Sequence, residues 1–367
     1  MKNYLDFEKN IKKLEENLKN LKDPFQNQGL SKIETEKISN IQIEIDQKLK
    51  EIYQSLNPWE KTQVARHENR PKSNFLINEL FEDFVPLEGD RFYSEDKSVT
   101  TGFARFNNTS VLIIGQEKGE DLNSRIEKNF GMMRPEGYRK SIRLMKLADK
   151  FNIPIIIFID TPGAYPGAGA EERGQAEAIA RSIQCSMEIK VPTVSIIIGE
   201  GGSGGAIALA SSNRVLMLEN AIYSVISPEG CATILWRDPK KTLEAATAMK
   251  LSSKDLKELN IIDEIISEPN GGAHRNKEEI LNNVRSSLKL NLEKLSSLNG
   301  DEIYNQRKNK FLSIGRDKGY LTKSKVKDSL VIETNPLNKI ATFLIKNKLW
   351  VFLISVILIS IFLYTYL

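Results

Sequence analysis

Two glycine-rich stretches hold the residues best suited to chemistry: Phe158-Ile-Asp-Thr-Pro-Gly-Ala-Tyr-Pro-Gly-Ala-Gly-Ala170 and Ile196-Ile-Ile-Gly-Glu-Gly-Gly-Ser-Gly-Gly-Ala-Ile-Ala208. Each opens as a continuous apolar run, Pro154 to Ile159 and Val194 to Ile198, which reads as a buried strand. Each then passes through a glycine loop into an alanine-rich helix. Glycine tolerates the backbone angles of a sharp turn and lets a ligand approach the main chain. A helix start adds N–H groups that have no acceptor within the helix. No lysine follows either loop to meet a phosphate, so the tandem pattern points to backbone amides that stabilise a developing oxyanion.

Other chemistries fit parts of the second stretch. Gly199-Glu-Gly-Gly-Ser-Gly204 has the form GxGxxG, and Glu219 stands where a ribose-binding acid of a dinucleotide fold would be. Against this, the helix that follows is short and the loop lies mid-chain behind a similar unit. Gly201-Gly-Ser-Gly-Gly205 also fits G-x-S-x-G, with Ser203 as nucleophile and Asp263 and His274 following in hydrolase order. A membrane-anchored serine hydrolase is therefore the alternative reading. The bland roles are a helix N-cap for Ser203 and a loop histidine for His274. A Walker phosphate loop is excluded, because no lysine follows the glycines.

The elements that must position these loops alternate along the chain. Val111 to Ile114 reads as a strand, Glu136 to Phe151 as a helix, Gln175 to Ile183 as a helix, Ala206 to Ser211 as a short helix and Arg214 to Leu218 as a strand. Repeated strand-helix crossovers of this kind require an α/β sheet covered by helices. Upstream, Leu5, Ile11, Leu14, Leu18 and Leu21, then Ile38, Ile41, Ile45, Leu49, Ile52 and Leu56, recur at helical spacing around a polar break at Asn27–Ser31. They predict an N-terminal helical hairpin over residues 1–58. Residues 59–300 form the main domain, 301–345 a basic polar linker, and 346–367 a transmembrane anchor. The uncharged run Leu349 to Leu367 is roughly 19 residues, about the length a helix needs to cross a bilayer. Lys339, Lys346 and Lys348 place the soluble body on the cytosolic or stromal side. The amino terminus is too acidic for a secretory signal.

Over 367 residues the net charge is +4, too modest to imply a nucleic-acid partner. The chain has two cysteines, Cys185 and Cys231, which excludes a disulfide framework and an all-cysteine zinc site; no metal site is expected.

Taken together, Ala65-Arg-His-Glu-Asn-Arg-Pro71, Asn129-Phe-Gly-Met132, Pro135-Glu-Gly-Tyr-Arg-Lys140, Ala170-Glu-Glu-Arg-Gly-Gln175, Tyr223-Ser-Val-Ile-Ser-Pro-Glu-Gly-Cys231, Gly271-Gly-Ala-His-Arg-Asn276 and the two glycine stretches resemble the alpha subunit of the multi-subunit acetyl-CoA carboxylase carboxyltransferase, of bacterial and plastid type. The resemblance runs from about Leu5 to about Gly315. It implies a crotonase-like (ClpP/crotonase) fold of repeated ββα units. It also implies transfer of a carboxyl group from carboxybiotin to acetyl-CoA, giving malonyl-CoA, the first committed step of fatty acid synthesis. The implied partners are a carboxyltransferase beta subunit in an α2β2 assembly, the biotin carboxyl carrier protein that delivers carboxybiotin, and biotin carboxylase, within a complex that binds ATP. No cofactor is bound covalently in this chain, and zinc belongs to the beta subunit. On this reading the backbone N–H groups of Gly201 and Gly202 form a biotin-facing oxyanion hole. Gly163, Ala164 and Tyr165 shape the opposing wall, and Gly204 and Gly205 allow close packing of the following helix. Arg134, Arg139 and Lys140 either meet an anion or form a solvated basic face. The enzyme would work in a bacterial cytoplasm or plastid stroma, held at a membrane by the terminal helix. That tail has no counterpart in the family pattern, which stops near Gly315.

Overall fold

The computed structural model describes residues 3–22 and 32–315. Helices α1 (Lys9–Lys22) and α2 (Lys32–Gln54) form the expected hairpin, with Ile11 and Leu18 packed against Ile45 and Leu49. Residues 27–31, the expected break, lie outside the described residues. The chain continues through α3 (Pro58–Ala65) and α4 (Ser73–Leu80). At α3, Asn57 and Glu60 cap each other's amides, a capping box that fixes the start of the helix.

A β-meander follows, built from β1 (Glu82–Pro86), β2 (Val99–Phe106) and β3 (Thr109–Gln116), antiparallel throughout. From there the order is α5 (Leu122–Glu127), α6 (Pro135–Lys150), β4 (Ile155–Thr161), α7 (Ala168–Glu172), α8 (Gln175–Glu188), β5 (Thr193–Gly202), α9 (Ser203–Ala210), β6 (Arg214–Leu218) and β7 (Ile222–Ser224). The described chain ends with α10 (Pro228–Cys231), α11 (Thr242–Met249), α12 (Ser253–Glu258), β8 (Glu264–Ile266), α13 (Lys277–Ser296) and α14 (Gly300–Ser313). Strands order as β1-β2-β3-β4-β5-β6-β8, with β3 through β8 parallel and β7 added beside the far half of β5. Every residue of β4 and β5 is buried, as a parallel strand covered on both faces must be. This explains why both read as unbroken apolar runs. Helices α6, α8 and α9 pack on one another and on β3 to β5, while α13 packs on α4, β5 and β8.

Two differences from the sequence reading matter. The second glycine stretch is not a loop: β5 continues through Gly199, Glu200, Gly201 and Gly202, and the helix begins at Ser203. The cause is β7, which pairs with Glu200–Gly202 and keeps the strand extended. Residues 301–313, read as linker, are instead helix α14, because Ile303 and Arg307 are buried against the main body. No helix among the described residues is long and apolar enough to cross a membrane; the expected anchor at 346–367 and the linker beyond 315 lie outside the described residues.

Candidate active site

The two glycine stretches meet at the carboxyl ends of β4 and β5, where open parallel sheets place ligands. Gly202 is the N-cap of α9 and no side chain caps that helix, so its first-turn amides carry no side-chain partner. A Cβ built on Gly202 would lie 2.1 Å from the Pro162 carbonyl oxygen. One built on Gly205 would lie 2.5 Å from the Gly163 carbonyl carbon. The turn after β4 therefore rests directly on the start of α9, with Pro162 and Gly163 against Gly202 and Gly163 and Ala164 against Gly205. Gly201 lies inside the ladder, opposite Thr161 on one side and Tyr223 on the other. Gly204 makes only ordinary contact with Ile179.

The first wall is held by local hydrogen bonds. Thr161 Oγ1 donates to the Gly163 carbonyl at 2.6 Å, and the Gly163 amide returns a bond to Thr161 Oγ1. The Tyr165 amide donates to Met133 O, and Gln175 Nε2 donates to Tyr165 O at 2.9 Å. The Arg134 guanidinium lies 4.7 Å from the centre of the Tyr165 ring. The other two basic candidates meet carboxylates of this chain and do not form a solvated basic face. Arg139 pairs with Asp90 and Glu136, and Lys140 is buried against Glu95.

Behind this wall lies a charge network that sequence reasoning missed. Lys118 Nζ sits 2.8 Å from Asp160 Oδ1 and 2.7 Å from Glu200 Oε2. Arg66 bonds Glu200 Oε1 at 2.6 Å and also reaches Glu229. Between Ile159 and Thr161 the β4–β5 register shifts, so that Thr161 faces Gly201. In the gap Asp160 Oδ1 accepts the Glu200 amide at 2.9 Å, and its carboxylate occupies the space a Cβ at Gly199 would need. Asp160 thus replaces a ladder bond inside the strand. Burial pushes the Glu200 carboxyl up, but Lys118 and Arg66 outweigh it and hold it below the usual carboxylate range. Burial pulls the Lys118 ammonium down, and Asp160 and Glu200 more than reverse this. A cavity of about 220 Å³ opens here, lined by Arg66, Lys118, Asp160, Pro162 and Glu200 among others. Larger hollows of about 390 and 670 Å³ lie under the helical hairpin and beside α13, away from the glycines.

A buried ion pair backs β5. Arg70 Nε donates to Ile198 O at 2.6 Å and its guanidinium pairs with Glu268. Burial raises the Glu268 carboxyl, while Arg70, followed by the Asn220 amides, brings it below its ordinary value. Its stability contribution is therefore present above the ordinary carboxylate pKa and is lost as pH falls through the depressed value. Arg70→Met should cost about 3–5 kcal/mol by stranding the carboxylate. With Arg70 gone, burial is opposed only by the Asn220 and Ala273 amides, and the Glu268 pKa rises. The stability that the parent gains as pH climbs from about 3 to about 7 should then shrink in the variant. Melting curves across that range test the sign.

The competing chemistries find no partners. Ser203 is exposed, with φ +49°, a strained corner that matches a nucleophile elbow in form. But Asp263 pairs with Lys310 and Arg214 at the start of β6, the opposite edge of the parallel sheet. His274 instead stacks on His67, ring centres 3.8 Å apart. No Ser-His-Asp unit forms, which removes the hydrolase alternative. Glu219 accepts the Glu268 amide, so it is already engaged where a ribose would need it.

Residues 4–315 match the family described as acetyl co-enzyme A carboxylase carboxyltransferase-like. The chain is 66% identical over 349 residues to the acetyl-coenzyme A carboxylase carboxyl transferase subunit alpha of Pelagibacter ubique (strain HTCC1062), covering 95% of each. It is 52% identical over 317 residues to the same subunit of Rhizobium etli (strain CIAT 652), covering 86% of this chain and 100% of that one. The Rhizobium alignment accords with a family pattern that omits the tail. The 349-residue Pelagibacter alignment must run past Gly315, so at least that relative shares part of it. Among solved structures, transcarboxylase 12S, a hexamer with methylmalonyl-coenzyme A bound, superposes with TM-score 0.51 at 18% identity over 62% of this chain and 42% of that one. The beta subunit of Pseudomonas aeruginosa geranyl-CoA carboxylase gives 0.50 at 15% identity over 68% and 46%. These two likenesses carry the fold, and the far closer sequence relatives carry the assignment: the chain belongs to the family of acetyl-CoA carboxylase carboxyltransferase alpha subunits.

Proposed function

We propose that this chain is the alpha half of a carboxyltransferase that moves a carboxyl group from carboxybiotin to acetyl-CoA, giving malonyl-CoA for fatty acid synthesis. The observation that carries the reading is the junction of β5 and α9, packed against the turn after β4 and framed by main chain instead of a nucleophile or metal ligands. Carboxyl transfer builds negative charge on the biotin ureido oxygen and on the thioester enolate. Both are stabilised by fixed N–H donors placed where the charge develops, each worth on the order of 3 kcal/mol. The amides that open α9 at Gly202 are the proposed donors for the ureido oxygen, while Gly201, expected to share that role, is paired within the ladder. Gly163, Ala164 and Tyr165 form the proposed facing wall, and Gly205 lets α9 approach it, whereas Gly204 meets only Ile179. The acetyl-CoA side would come from a beta subunit, with the two in an α2β2 assembly. The carrier protein would deliver carboxybiotin made by biotin carboxylase, and any zinc would belong to the beta chain. The tail at 346–367 is proposed as a membrane anchor outside the chemistry, with the body in a bacterial cytoplasm or plastid stroma.

The test is malonyl-CoA-dependent carboxylation of free biocytin by this chain co-expressed with a beta subunit. Activity that requires both chains supports the reading; a well-formed complex with no transfer overturns it. The same assay on a chain lacking residues from Lys346 onward should retain activity while the protein leaves the membrane pellet. Lost activity would defeat the anchor proposal.

A further inference from the structure

Gln116 is the last residue of β3 and is fully buried. The β3–β4 ladder ends one residue earlier, with Gly115 opposite Phe158. Beyond that point the Gln116 side chain takes over. Its Oε1 accepts the Asp160 amide at 3.2 Å, and its Nε2 donates to the Gly205 carbonyl at 2.8 Å and lies 3.3 Å from Met133 Sδ. The residue's own carbonyl accepts Ser73 Oγ at 2.6 Å, which anchors the backbone from the opposite side. A carboxamide offers a donor and an acceptor in one plane, and here each is directed to a different element. Asp160 stands at the end of β4, immediately before the turn that carries Gly163 to Tyr165. Gly205 lies in the first turn of α9. The Gln116 side chain therefore ties together the two walls of the candidate site, and neither wall can shift freely in so tightly packed an interior.

We infer that Gln116 is a positioning residue for carboxyl transfer: it sets the placement of the first turn of α9 against the end of β4, and through it the aim of the amides around Gly202. The inference rests on the carboxyltransferase reading. It makes no contact between Gln116 and substrate, so loss of the side chain should act on kcat rather than on binding. An apolar side chain of similar size would satisfy the core but hold neither wall.

The test uses the complex with the beta subunit. Gln116→Leu should lower kcat roughly 10- to 100-fold, with KM for malonyl-CoA within about threefold of the parent. Gln116→Glu supplies a readout that packing alone would not move. Ionised, the introduced carboxyl still accepts the Asp160 amide but sets an oxygen against the Gly205 carbonyl. Protonated, its O–H donates to that carbonyl as the amide did. The charged groups near the position are Asp160, Lys118, Glu200 and Glu117. All are present in the parent too, so their titrations divide out of a variant-to-parent ratio. Burial beside a carbonyl raises the introduced carboxyl's pKa, so the kcat ratio should climb as pH falls from about 8 to about 6. A flat ratio, or parental kcat per folded complex in both variants, overturns the inference while the parent's transfer stands. A parent complex without transfer overturns the carboxyltransferase reading and this inference with it.

Discussion

Gly202→Ala is expected to reduce carboxyl transfer at least about 100-fold, and Gly202→Val at least as much. The damage comes from the Cβ itself. At Gly202 that atom would lie 2.1 Å from the Pro162 carbonyl oxygen and 2.3 Å from its carbon, both main-chain atoms that no rotamer change can clear. The end of β5 must then move away from the turn after β4, and with it the amides that open α9. Displacement of this order is what positioned donors tolerate least. Specific activity of each co-purified complex, set beside its melting temperature, separates misplacement from unfolding. An Ala variant with parental kcat would show that the walls need not touch, and would remove Gly202 from the machinery.

Much of this arrangement was legible in the sequence. The buried parallel strands announced themselves as unbroken β-branched runs, and β6 begins and ends where its pattern says, at Arg214 and Leu218. The glycines marked the site because close approach of backbone to backbone has no other residue to use. What was not legible depends on partners distant in sequence. Glu200, Gly201 and Gly202 belong to a strand because β7, some 20 residues later, pairs with them. The three-residue strands β7 and β8 carry too little pattern of their own to be recognised. Gln116, Lys118 and Glu200 gave no local signal, since a polar residue at a strand end is ordinarily solvated. Arg66 and Arg70 stood in a motif that marked the family, but the buried carboxylates they meet, Glu200 and Glu268, lie more than a hundred residues away in sequence. Burial decides what such residues do, and burial is a property of the assembled sheet.

Arg307 shows how far a basic residue can depart from its apparent role, and its replacement carries a stability effect as large as that expected at Arg70. The stretch around it reads as basic linker, yet the side chain is fully buried. Its Nη1 donates to Ser186 O at 2.6 Å and Ile189 O at 2.7 Å, and its Nη2 to Val191 O at 2.9 Å and Asn213 Oδ1 at 2.5 Å. No carboxylate is among these acceptors, and burial pulls the guanidinium down to about 10. The guanidinium therefore serves as a fixed fork of donors. It satisfies carbonyls at the end of α8 and fastens α14 to the start of β5, the strand whose far end carries the candidate site. Arg307→Met should destabilise the fold by about 3–5 kcal/mol, because several buried carbonyls lose their donors at once. For a body of this size that corresponds to a fall in melting temperature on the order of 10 °C. Arg307→Lys should fare little better. One ammonium cannot span acceptors arranged around a planar fork, and a buried lysine sheds its proton more readily than arginine does. If the lysine variant melted with the parent, charge alone would be the requirement and the fork geometry irrelevant. If both variants fall together, the clamp depends on the shape of the guanidinium, and α14 is an integral part of the folded domain.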